Sequence, residues 1–70
     1  MGAVMNYQIG DMGNIKADDP IVEQIQDAYK HARRMCEESD EVIVGVWELY
    51  DGGGDADLVA IVYQGEVFVK

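Results

Sequence analysis

The chain is short of the residues that perform covalent chemistry. Its 70 residues include no threonine, one serine (Ser39), one cysteine (Cys36) and one histidine (His31). A single cysteine excludes an intrachain disulfide, and a single histidine beside it excludes a Cys/His zinc site. Ser39 lies in an acidic stretch with no base near it in sequence. Cys36 is followed by Glu37 and Glu38 and so lacks the cationic surroundings that activate a thiol. It reads as a structural cysteine beside an apolar stripe. His31 stands five residues before it, on a different face of any helix that carries both, so the two make neither a dyad nor a metal pair. Enzyme chemistry is the least favoured class, and no cofactor is expected.

Basic residues are scarce as well. Five Lys and Arg stand against fourteen Asp and Glu, for a net charge of −9. From Glu37 onward the acids are Glu37, Glu38, Asp40, Glu41, Glu48, Asp51, Asp55, Asp57 and Glu66, opposed only by Lys70. Direct binding to a nucleic-acid backbone needs clustered lysine and arginine and is therefore disfavoured. Lys30, Arg33 and Arg34 are too few for such a footprint. An acidic chain of this kind meets a basic protein surface more readily, although acidity also serves solubility alone. Long apolar runs are missing too: none approaches the roughly 20 residues that cross a bilayer, so no membrane partner is expected. The first residues lack the basic start and apolar core of a secretory signal, and with one free thiol they suggest a reducing, cytoplasmic setting.

What is present organises itself around Glu41–Tyr50, a β-branched and aromatic segment that is apolar on both alternating faces. Such a strand needs neighbours on either side and cover on both faces. Ahead of it, Ala3–Ile9 alternates as a half-buried strand, with Ala3, Met5, Tyr7 and Ile9 on one face. Residues 10–18 read as a loop, with Gly10, Gly13 and Asn14 as breakers. The only proline then marks a helix start, with Asp19 as the cap and Pro20 in the first turn. Ile21, Ile25, Ala28, Ala32 and Met35 form its apolar stripe, widened by Val22, Tyr29 and Cys36. Acids early and bases later in this helix suit its dipole, and it should end near residues 38–40.

After the organising strand, residues 51–57 form a loop around three consecutive glycines, followed by a strand at Leu58–Tyr63. Gln64–Gly65 reads as a tight turn into a short last strand at 66–69. The expectation is one α+β domain over residues 1–70, β-α-β-β(-β), with one amphipathic helix on a three- to four-stranded antiparallel sheet. Asp51, Asp55 and Asp57 invite a calcium reading, but no glutamate closes the loop and the spacing is not that of an EF-hand, so an acidic hairpin loop is expected and no metal.

A domain of this size buries only about 60% of its unfolded surface. One helix covers one face of the sheet, yet both faces are apolar: Ile43, Trp47 and Leu49 oppose Val42, Val44 and Val46. The second face should be buried against another copy, a partner or the N-terminal segment. In size, charge and compact plan the chain resembles small acidic proteins of phages and mobile elements, among them anti-CRISPR proteins and other DNA-mimic inhibitors. That resemblance implies a non-enzymatic inhibitor that offers carboxylates to the basic groove of a nucleic-acid-handling protein. Its contact residues would be Glu48, Tyr50, Asp51, Asp55, Asp57 and Glu66, with Glu37, Glu38, Asp40 and Glu41 as a second acidic ridge. The rival expectation is a homodimeric interaction or assembly module that works through the apolar second face.

Overall fold

In the computed structural model, which describes residues 4–16, 18–39, 41–51 and 56–70 and only the backbone of Met5, six elements follow in order. They are β1 (Val4–Asp11), β2 (Ile21–Val22), α1 (Ile25–Glu38), β3 (Ile43–Tyr50), β4 (Ala56–Tyr63) and β5 (Glu66–Val69). The strands form one antiparallel sheet in the order β2-β1-β3-β4-β5, with the helix packed on one face. The α+β expectation holds, with the fifth strand supplied by the two-residue β2. β2 and β3 are both antiparallel to β1 and hence parallel to one another, so α1 is the crossover that carries the chain over β1.

The helix start is where sequence and structure differ. Asp19 and Pro20 do not open α1; Ile21 and Val22 pair with Gln8 and Tyr7 of β1 instead, and the Ile9 N–H donates to the Pro20 carbonyl at 3.0 Å. Two β-branched residues beside an unpaired strand edge gain more by completing a ladder and burying Val22 than by adding a turn of helix. α1 therefore begins at Ile25, and Gln24 stands at the N-cap without a side-chain bond. Its far end lies where expected, with Ser39 extended and its N–H donating to Met35 O. The dipole is complemented only at the start, by Asp27, because the last turn holds no base. β1 also runs two residues beyond Ile9, with Gly10 and Asp11 paired to Gly45 and Val44.

The core lies between α1 and the sheet. Ile9, Val44, Val46, Ala60 and Val62 rise from three strands to meet Ala28, Ala32 and Cys36. Three small helix residues at four-residue spacing share one face and let the helix approach the strands closely. Tyr7, Val22, Ile25, Tyr29, Met35, Val42, Val59 and Val67 close the edges. Cys36 is buried, and its thiol donates to the Val62 carbonyl at 3.6 Å, as a structural cysteine should. The Gln64–Gly65 turn has both central residues at positive φ, 51° and 80°, the geometry that follows the twist of a two-residue hairpin.

Candidate functional site

Cross-strand register decides which side chains share a face. Val46 stands opposite Ala60, but the next residue, Trp47, stands opposite Leu58, which leaves Val59 as the extra residue of a bulge. The bulge exchanges the faces of β4. Leu58 joins Ile61 and Tyr63 on the side away from the helix, and Val59 packs against the core, the reverse of simple alternation from Leu58.

The side away from α1 then carries Ile21 from β2, Ile43, Trp47 and Leu49 from β3, and Leu58, Ile61 and Tyr63 from β4. Phe68 of β5 stands opposite Ile61 on the same side. Ile43 is 45% exposed and Phe68 52% exposed, while Trp47, Leu49, Leu58 and Ile61 are half-buried. Trp47 lies back along its own strand over Gly45, where a Cβ would sit 2.5 Å from the indole Cη2. Glycine is therefore required at 45 to seat the ring. Toward β1 the face is closed by the loop before β2: the Asp19 carboxylate lies over Gly10, where a Cβ would collide with it, and accepts the Lys16 N–H at 3.0 Å. The Gln8 amide donates to the Asp19 carbonyl at 3.3 Å and fixes that loop. Over β3, β4 and β5 no described segment covers the apolar side chains.

The acidic residues do not gather on one surface. Glu48, Tyr50 and Asp57 meet on the helix side of the sheet, past the last buried pair, Val46 and Ala60. The Tyr50 hydroxyl donates to Asp57 Oδ2 at 2.8 Å, with Glu48 Oε1 a second acceptor at 3.3 Å. The Asp57 hydrogen bond, then desolvation and the two carboxylate charges, push the phenol up to about 12. Tyr50 is thus half-buried and held between two carboxylates. Asp51 follows directly and is exposed. Glu37, Glu38 and Glu41 lie where α1 hands over to β3, at the other end of that strand, and are exposed. Glu66 is at that end too, but on the open face opposite Tyr63. The first acidic ridge is therefore split, with Glu66 removed from Glu48 and Asp57. Asp40 and Asp55 lie outside the described residues.

Two clefts flank the helix. One of about 250 Å³ is lined by Val22, Asp27, Lys30, His31 and Arg34. The other, about 500 Å³, is lined by Arg33, Cys36, Glu37, Gln64 and Gly65, with Arg33 Nε donating to the Gly65 carbonyl at 3.3 Å. His31 and Cys36 open on different clefts, so neither cleft unites the nucleophile with the imidazole. Among the described residues no group of three or more His, Cys, Asp or Glu side chains is placed to hold a metal ion, and no helix is long and apolar enough to cross a membrane.

Comparison with protein-family models, with curated proteins and with solved structures finds no match to this chain.

The open face was legible in outline, from strands apolar on both sides. The position of Leu58 was not, because a bulge leaves no mark in a run as uniform as Leu58–Val62. Nor was the Glu48–Tyr50–Asp57 cluster, which joins two strands through their register.

Proposed function

We propose that this protein is a non-enzymatic binding module that engages another polypeptide through the open sheet face over β3, β4 and β5. The observation that carries the reading is the exposure of a contiguous set of large apolar side chains, Ile43, Tyr63 and Phe68 around half-buried Trp47 and Ile61. Exposed apolar surface that is contiguous and rimmed by polar groups marks an interaction site, whereas scattered apolar residues do not. The composition is also that of an interface centre: aromatic and aliphatic, with the charges of Asp19, Glu66 and Lys70 at the rim. The scarcity of nucleophiles and bases supports a binding function over a catalytic one.

A second reading rests on Tyr50, Glu48 and Asp57. Two carboxylates held by one phenol form a preorganised acidic end, of the kind a charge-mimicking inhibitor of the anti-CRISPR type would present to a basic groove. One experiment separates the two. Immobilised wild-type, Ile43→Glu and Glu48→Gln/Asp57→Asn proteins are challenged with a bacterial lysate to which a labelled copy of the same chain is added. Each column is then washed with salt rising to about 1 M, where the Debye length is only about 3 Å. Binding through the open face is retained at high salt by the wild type and the carboxylate variant and lost by Ile43→Glu. Binding that salt releases, and that the carboxylate variant loses, contradicts it in favour of charge mimicry.

A further inference from the structure

Taking the open face as the binding surface, we infer that its occupant is a second copy of this chain, packed face to face with its strands antiparallel to the first. Along β5 the residues on the open side are Glu66 and Phe68. The backbone pairing continues one residue further, since the Lys70 N–H donates to the Val59 carbonyl at 3.0 Å; Val59 is the extra residue of the bulge and does not fix its partner's face, so alternation along β5 itself sets Lys70 on the open side. An acid, an aromatic and a base therefore stand in line, with the aromatic central. A two-fold axis lying in the interface and crossing the strands at Phe68 reverses this row. Each Glu66 then faces the partner's Lys70, and the two phenyl rings meet near the axis. The surface is self-complementary in charge, as an isologous interface must be. Across the same axis the row holding Ile43 and Tyr63 meets the row holding Trp47 and Leu58, apolar on apolar.

Size fits a weak and reversible pairing. With β3 and β4 eight residues long and β5 four, strands about 4.8 Å apart at about 3.3 Å per residue give an open face of roughly 300 Å². Two such faces cover roughly 600 Å², in the range of weak contacts. Stability points the same way. Among the described residues the helix-side core contains four large fully buried side chains, Ile9, Val44, Val46 and Val62. A domain this small gains a second apolar layer by pairing. An anionic lipid surface offers no base to face Glu66, whereas a second copy offers Lys70.

The test is sedimentation equilibrium of the purified chain from about 1 to about 500 μM, a range spanning modest dissociation constants. The expected mass rises with concentration from 7.8 kDa toward twice that value. Phe68→Glu, at an edge position that is half exposed, abolishes the rise while keeping the far-ultraviolet circular dichroism of the wild type. Glu66→Lys and Lys70→Glu each weaken association roughly ten-fold, because two pairs become repulsive, and the double exchange restores it. A monomer at every concentration overturns the second-copy assignment, as does a dimer indifferent to Phe68→Glu, or a double exchange no better than the single variants. A monomer whose Ile43→Glu variant still loses a salt-resistant lysate partner overturns this inference alone. A monomer with no retention through the open face overturns the binding-module reading as well.

Discussion

Ile9 and Ile43 are the same residue type in neighbouring strands of one sheet, and the fold assigns them opposite fates. Ile9 is fully buried beneath α1, whereas Ile43 is 45% exposed on the other face. Replacing either with alanine removes three carbons. At Ile9 the transfer loss is about 2.4 kcal/mol, at about 0.8 per methylene, and a cavity that the close helix cannot collapse into raises it to roughly 3–4 kcal/mol. At Ile43 about half of the side chain is already wet and no cavity closes, so the cost is about 1 kcal/mol. A domain of this size gains roughly 3.5–10 kcal/mol from folding, so Ile9→Ala removes a third of it or more. At about 4–8 °C per kcal/mol, the melting temperature falls by at least roughly 12 °C for Ile9→Ala and by about 4–8 °C for Ile43→Ala. Thermal unfolding followed by circular dichroism at low micromolar concentration measures both. At high concentration the cost of Ile43→Ala should grow, because pairing stabilises the wild type by mass action, while that of Ile9→Ala should change little. Equal costs at low concentration would refute the assignment of the two faces.

Three further outcomes follow from local geometry. Tyr50 should ionise near pH 12 by ultraviolet absorbance, and Asp57→Asn should bring it back toward 10. Since the folded phenol titrates above its unfolded value, its stabilising contribution is complete below about pH 10 and is lost as the pH rises toward about 12, which alkaline unfolding of wild type and Tyr50→Phe should register. Gln64 holds φ 51° in a turn that favours asparagine before glycine, so Gln64→Asn should raise the denaturant midpoint, by about 0.5 kcal/mol in stability. The last turn of α1 ends in Glu37 and Glu38 at the negative end of the dipole, so Glu38→Lys should stabilise by about 0.3–1 kcal/mol in chemical unfolding at low salt.

The sequence carried the strands, the turn at Gln64–Gly65 and most of the helix because in each the local chemistry and the hydrophobic period agree. It misplaced residues 19–24 because Asp-Pro before an apolar stripe is a sound helix start judged locally. A free edge of β1 competes for the same two residues, and that edge exists only once the sheet has formed. The expected contact set placed Glu48, Asp57 and Glu66 on one acidic surface. Glu66 departs from Glu48 and Asp57 because one strand and one turn carry it to the opposite face and the opposite end of the sheet. The apolar second face was legible from Ile43, Trp47 and Leu49, since an antiparallel strand with one wet face has no use for them.

Trp47 is the only tryptophan of the chain and lies on the open face, so its emission reports directly on what covers that face. Emission spectra of the purified protein, recorded on dilution from about 500 to about 1 μM, follow the face from paired to free. Pairing of two copies predicts blue-shifted emission when concentrated, a red shift on dilution, and the red-shifted spectrum at every concentration for Phe68→Glu. Emission that stays red-shifted and unchanged across the whole range would show that no second copy covers Trp47, and would contradict the pairing.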